Sequence, residues 1–235
     1  MATAAEILEE LKSISDPERA RSSAGFFKTG KGGYGEGDRF LGITVPLNRK
    51  LVRKYRDSGI TVYEELLRSP YHEARLFALI SLGEAFTRAG EDERRKIFQL
   101  YLASASRVNN WDLVDSSAPH IAGRWLENRS REPLYTLAAS DSLWERRISI
   151  IATQHFIRND DYEDTLAISD ILLHDREDLI HKAVGWMLRE VGNRNRSLEV
   201  DFLRTRYTNM PRTMLRYAIE KFDPETRKKY LKGLA

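Results

Sequence analysis

The chain has 235 residues and no cysteine, with 41% hydrophobic residues, 31% charged residues and a formal net charge of +3. Such a chain holds one domain, or one continuous array of small repeats, around a true apolar core. The missing cysteines exclude disulfides, a cysteine nucleophile, a thiolate zinc site and an iron–sulfur cluster.

The chain opens with MATAAEILEELKSIS, which is acidic and helical in pattern. It lacks the basic start and long apolar run of a secretory signal. No stretch approaches the ~20 apolar residues that span a bilayer, so a soluble cytoplasmic protein without membrane contact is expected. Residues 1–57 read as N-terminal helices interrupted by a glycine-rich segment, TGKGGYGEGD, over 29–38. A literal GxGxxG falls at Gly30, Gly32 and Gly35. The preceding SSAGFFK reads as helix rather than strand, and no Gly-Lys is followed by Ser or Thr. Neither a dinucleotide site nor a Walker loop is therefore expected. The segment reads as a connector, with closure over a ligand as its functional alternative. Next comes PLNRKLVRKYR, where Leu47, Leu51 and Tyr55 form an apolar stripe. Its cations Arg49, Lys50, Arg53, Lys54 and Arg56 are expected on display, with no acid among them.

From about 58 to 222 the apolar residues recur at helical spacing, as in Leu76, Leu79, Ile80 and Phe86. Period-two alternation is nearly absent, and no strand is expected. Asx, Ser and Pro at Ser69-Pro70, Asn109-Asn110, Asn159 to Asp161, Asn193 to Asn195 and Met210-Pro211 suit helix starts and stops, as does Gly90. The helices pair as 61–68 with 70–87, 91–106 with 110–127, 131–139 with 141–158, 161–173 with 177–191 and 197–208 with 211–222. A last helix covers 224–235. The second helices align through EARLFAL, ERRISII, IHKAVGW and, shifted by one residue, TMLRYAI, which puts Arg75, Arg147, Lys182 and Arg216 at one equivalent position. The period is about 36 residues, that of a paired-helix solenoid whose second helices line one surface. The expected fold is all-α, a single domain over 1–235.

One repeat breaks the pattern. Its equivalent position holds Trp111, and one turn further along, the row reads Leu79, Asp115, Ile151, Trp186 and Glu220. Residues four apart share a helix face, so Trp111, Asp115, Lys182 and Trp186 are expected to look toward the same surface. A row of cations is the footprint of a phosphate backbone, or else a solvated face paired with neighbouring acids. A carboxylate on such a surface repels phosphate and needs another reason to be there. Cleavage of an N-glycosidic bond is one: it builds positive charge on the sugar, which a fixed carboxylate stabilises, while flat aromatic rings attract a cationic base. The bland alternative makes the tryptophans core and Asp115 an ion-pair partner. His72, His120, His155, His174 and His181 show no metal-binding spacing, and no metal is expected. Asp112 reads as an acid in a first helical turn, capped by Asn109 or Asn110, with no chemistry assigned.

The segments FLGITVPLNRKLVRKY, NNWDLVDSSAPHIAGRWL, SLWERRISII and HKAVGWMLRE resemble the DNA alkylation repair family, the AlkD-like DNA glycosylases, over most of the chain. That resemblance implies a curved alpha-alpha superhelix of HEAT-like repeats holding duplex DNA in a basic concave groove. It implies excision of N3- and N7-alkylated purines by a monofunctional glycosylase without metal or cofactor, and without flipping the base into a pocket. The family's catalytic aspartate matches Asp115 and its two site tryptophans match Trp111 and Trp186. Arg147 matches an arginine contacting DNA near the lesion, and Phe26 an aromatic of the N-terminal helices. Arg75, Lys182, Arg216, Lys50 and Lys54 complete the expected DNA contacts. The expected partner is double-stranded DNA carrying alkylated purines, bound by a monomer and, in the cell, at the nucleoid. Two other readings stand beside this one: an inactive relative that binds distorted or branched DNA, and a protein-interaction scaffold.

Overall fold

A computed structural model describes residues 2–235; Met1, at the head of the stretch read as helical, lies outside them. Among the described residues there is no β-strand, only an isolated bridge between Arg39 and Tyr71. Nor is any helix among them long and apolar enough to cross a membrane. The residues cluster into two compact units, Met1–Ile121 and Ala122–Ala235.

The first unit holds α1 (Ala4–Ser13), α2 (Pro17–Phe26), α3 (Val45–Lys54), α4 (Ile60–Leu67), α5 (His72–Arg88), α6 (Glu91–Ala103) and α7 (Trp111–Asp115). Local chemistry sets the ends. Thr3 and Glu6 form a capping box on α1. Asp16 accepts from the N–H groups of Glu18 and Arg19, and Pro17 supplies a first residue that needs no partner. At the centre lies α5, packed by α1, α3, α4, α6 and α7. Its residues from His72 to Leu82 are all buried. Burial on every side favours internal partners for its polar residues, although the Ser81 hydroxyl has none among the described residues. The Glu73 carboxylate accepts from the N–H groups of Leu41, Gly42 and Ile43 at 2.9, 2.8 and 3.2 Å. This fastens the FLGI segment to α5. Gly42 has φ +79°, and a β-carbon there would overlap the Asp16 carbonyl, so no other residue fits.

The second unit holds α8 (Arg124–Leu126), α9 (Glu132–Ala138), α10 (Leu143–Ala152), α11 (Gln154–Arg158), α12 (Glu163–Ile171), α13 (Asp178–Arg194), α14 (Arg196–Arg204), α15 (Arg212–Ala218) and α16 (Pro224–Lys232). Its centre is α13, packed by α10, α11, α12, α14 and α15. The helices α5, α10, α13 and α15 begin at His72, Leu143, Asp178 and Arg212, keeping the spacing read from the sequence.

Two expected helices are broken in mid-course, and those expected over 91–106 and 211–222 end in 3-10 turns at Ala105–Arg107 and Ile219–Lys221. The helix expected over 110–127 is divided into α7, a π turn at Pro119–Gly123 and α8. Pro119 has no N–H to donate. Before it, Ser116 and Ser117 turn their hydroxyls back onto the carbonyls of Asp112 (2.7 Å) and Leu113 (2.6 Å). The helix expected over 141–158 breaks at Thr153, whose hydroxyl donates to the Ile150 carbonyl at 2.7 Å.

Candidate functional site

Trp111 opens α7 and Asp115 closes it, one turn apart, and both are half-buried. The buried Asn110 caps the helix, its side-chain oxygen accepting from the Trp111 N–H at 2.9 Å. The indole lies on a stack of aromatic rings. It stacks on Phe27, with centroids 5.4 Å apart and planes 23° apart, and meets the edge of Phe26 at 6.0 Å. Phe27 in turn stacks on Phe40 at 5.0 Å, and Phe40 on the imidazole of His72 at 4.5 Å. Phe26 is 65% exposed, so the stack reaches the surface there. Near Asp115 lies the fully buried Tyr101, bonded to Ser117 at 3.0 Å. Burial pushes its phenol far above the usual range, and the negative charge of Asp115 adds to that push.

A buried charge network underlies the stack. The Asp38 carboxylate accepts from Arg75 at 2.6 Å and from Asn109 and Asn110 at 3.3 and 3.5 Å. Its second oxygen lies 3.2 Å from His72 Nδ1. His72 Nε2 lies 2.8 Å from the Asp112 carboxylate. The His72 and Asp38 side chains are 2% and 4% exposed. Burial alone would strip the proton from His72, but its hydrogen bonds to Asp112 and Asp38 prevail and raise its pKa to about 9. Burial likewise works to raise Asp38; the hydrogen bond from His72 and the Arg75 charge outweigh it and hold the carboxyl below its usual range. At neutral pH two cations and two carboxylates balance within the network.

The expected row of displayed cations is corrected by these positions. Arg75 is 3% exposed, with its guanidinium bound to Asp38 and to the Ser69 carbonyl at 3.1 Å. Arg147 is 4% exposed and donates to the Leu179 carbonyl at 2.6 Å. Both guanidinium groups are thus engaged inside the fold. Lys182 is half-buried and pairs with Asp178 at 2.7 Å, while Arg216 is exposed. On α3, Arg49, Lys50 and Arg53 are exposed, but Lys54 pairs with Glu10 of α1 at 2.6 Å, an acid the local sequence did not reveal. Four residues after Lys182 on α13, Trp186 is half-buried and donates its indole N–H to Glu190 at 3.1 Å.

The glycine-rich segment is folded as a bracket. The Gly32 N–H donates to the Glu36 carboxylate at 2.7 Å, and the Tyr34 hydroxyl to the Phe26 carbonyl at 3.2 Å. Gly35 is buried so close to the Phe27 carbonyl that a β-carbon would overlap it. The segment ends by delivering Asp38 to the network. Sequence reasoning assigned no role to Asp38, His72, Phe27 or Phe40, and to Asp112 only that of an acid in a first helical turn. The available signal was His72, Glu73 and Arg75 at the head of a helix that is apolar from Leu76 to Ile80, which marks buried polar groups without naming their partners. Among the described residues no cluster of three His, Asp or Glu side chains is arranged to hold a metal ion.

The profile of the DNA alkylation repair enzymes matches residues 7–222, nearly the whole chain. The chain belongs to the DNA alkylation repair enzyme family. A solved structure described as a predicted DNA alkylation repair enzyme from Enterococcus faecalis shares the fold, with a TM-score of 0.69 over 89% of this chain and 97% of its own, at 16% identity. A search of curated proteins finds no match. In this member of the DNA alkylation repair enzyme family, Trp111 and Asp115 sit on a helix held by an aromatic stack and a buried charge network.

Proposed function

We propose that this protein is a monofunctional DNA glycosylase that hydrolyses the N-glycosidic bond of N3- and N7-alkylated purines in duplex DNA. The observation that carries the reading is the pairing of Trp111 with Asp115 on α7, a carboxylate one turn away from an indole fixed on Phe27. Membership of the alkylation repair family supports it.

Alkylation at N3 or N7 gives the purine a positive charge. When the C1′–N bond breaks, its electron pair stays with the base, which leaves neutral and needs no general acid. Positive charge passes to the sugar, where the Asp115 carboxylate stabilises it. A water oxygen then bonds to C1′ and its surplus proton leaves to solvent, giving an abasic site and the free alkylpurine. The Trp111 ring packs against the deoxyribose, and its electron-rich face favours the developing cation. The exposed Phe26 extends that wall. Trp186 is assigned to the sugar and Lys50, Lys182 and Arg216 to phosphates, by resemblance and by their access to solvent. Arg75 and Arg147 are left out of the phosphate-binding set because of their burial. The protein is taken to act as a monomer.

The test is incubation of the purified protein with methylated duplex DNA. Free 3-methyladenine and 7-methylguanine should appear, with an equal number of alkali-labile abasic sites. Tight binding to the duplex without release of either base would defeat the glycosylase reading and favour a binding role.

A further inference from the structure

We infer that His72, clamped between Asp38 and Asp112, is a positioning residue that sets the orientation of Trp111 and Asp115 and couples both to its own protonation. The inference rests on the excision reading above for its consequence in catalysis, and on geometry for the coupling itself.

The helix that carries both site residues has five residues. So short a helix has almost no stability of its own and depends on what holds its ends. Three ties lead from its N-terminal end to one buried centre. Asp112 meets His72 Nε2 at 2.8 Å, while Asn110, the cap, and Asn109 donate to Asp38, whose carboxylate lies 3.2 Å from His72 Nδ1. A fourth route runs through the rings. The face of Phe27 that supports Trp111 belongs to a ring whose centroid is 5.0 Å from that of His72.

The charged groups that face His72 are Asp38 from the glycine-rich segment, Asp112 from α7 and Arg75 from α5 itself. Phe27 and Phe40 are its other ring neighbours. An imidazolium has two N–H donors and satisfies both carboxylates at once; a neutral imidazole has one donor and one acceptor. When the proton is lost, one carboxylate faces a lone pair and the network carries an unbalanced negative charge in a buried place. The least buried member, Asp112, with a side chain 18% exposed, is the one free to turn outward. That movement carries the start of α7, and Trp111 with it.

The test uses Asp112→Asn and His72→Gln in the full chain. Asn at 112 keeps the oxygen that accepts the Leu113 N–H but cannot hold the imidazolium charge. The first readout is the indole N–H resonance of Trp111, identified by its loss in Trp111→Phe and followed from neutral to alkaline pH. In the wild type it should shift with a midpoint near the His72 value of about 9. In Asp112→Asn the midpoint should move to lower pH, and in His72→Gln this transition should vanish. The second readout is single-turnover release of 7-methylguanine at neutral pH. Asp112→Asn should lose roughly tenfold to a hundredfold in rate, the size of loss that misplacement of a reacting group produces, while its Kd for the duplex changes less than about threefold, a change worth under ~1 kcal/mol. Should His72→Gln fail to fold, Asp112→Asn carries the test alone. A Trp111 resonance indifferent to pH across this range, or a folded Asp112→Asn that releases base at the wild-type rate, would overturn the inference. If the wild type releases no base while the Trp111 resonance still follows His72, the excision reading fails and the positioning stands.

Discussion

A histidine in water loses its proton near neutrality, whereas His72 keeps its proton until about pH 9 because two carboxylates outweigh its burial. Its pKa is raised on folding, so the stabilisation is complete below the unfolded value and is lost as pH rises through the folded one. A rise from 6.5 to about 9 corresponds to something on the order of 3 kcal/mol. Urea unfolding at slightly acid pH and near pH 9 should show the wild type losing that amount and His72→Gln lacking this component. Glu199, raised to about 8 by burial over the pull of Arg196 and Arg189, weakens both proteins over the same window and cancels from the difference. Equal losses in the two proteins would mean that His72 is neutral when folded. Residue-scale facts of this kind were the least legible in the sequence. Spacing places Arg75 on a given face of its helix but does not say what covers that face. Here the covering group is Asp38, delivered by a segment nearly forty residues earlier in the chain.

Elements were read better than residues, because helix periodicity and stop signals are local. The five second helices were expected near their observed starts, and all but the site helix and α10 ran close to their expected lengths, counting the 3-10 turn at Ile219–Lys221 that continues α15. Those two failed for a local reason as well: hydroxyl groups that bond back onto the preceding turn, at Ser116, Ser117 and Thr153. The KAVGWMLRE segment of α13 shows how a motif serves packing as well as chemistry. A β-carbon on Gly185 would overlap the Met214 carbonyl and the Tyr217 side chain of α15. Gly185 thus sets the approach of α13 to α15 while Trp186, next in the chain, stays half-open to solvent. Gly185→Ala improves helix propensity but forces these helices apart. It should destabilise by about 1–3 kcal/mol, the usual range for overpacking, seen as a lower denaturation midpoint at unchanged slope. A neutral or stabilising effect would mean that α15 can yield.

For the whole molecule a net charge of +3 says little, and what matters is which cations reach water. The all-helical fold and the family were legible in the sequence, and the distribution of displayed charge was not. Lys50 and Arg216 are displayed, whereas Arg75 is committed to the interior. Replacing Lys50 and Arg216 together by Glu should weaken duplex binding. It should also flatten the slope of log K against log salt by roughly 0.9 for each phosphate no longer neutralised. Arg75→Gln should lower stability and leave the salt slope of the folded protein as it was. The reverse pattern would place the duplex against other residues.

The central claim is that Asp115 stabilises charge that develops only as the bond breaks. Single-turnover release of 7-methylguanine by Asp115→Asn, measured beside its Kd for the same duplex, tests it most directly. Loss of such a group costs ~3–4 kcal/mol of transition-state stabilisation. The account therefore predicts release slowed about a hundredfold or more with binding kept. Release at the wild-type rate, or a rate that falls only as binding falls, would contradict it.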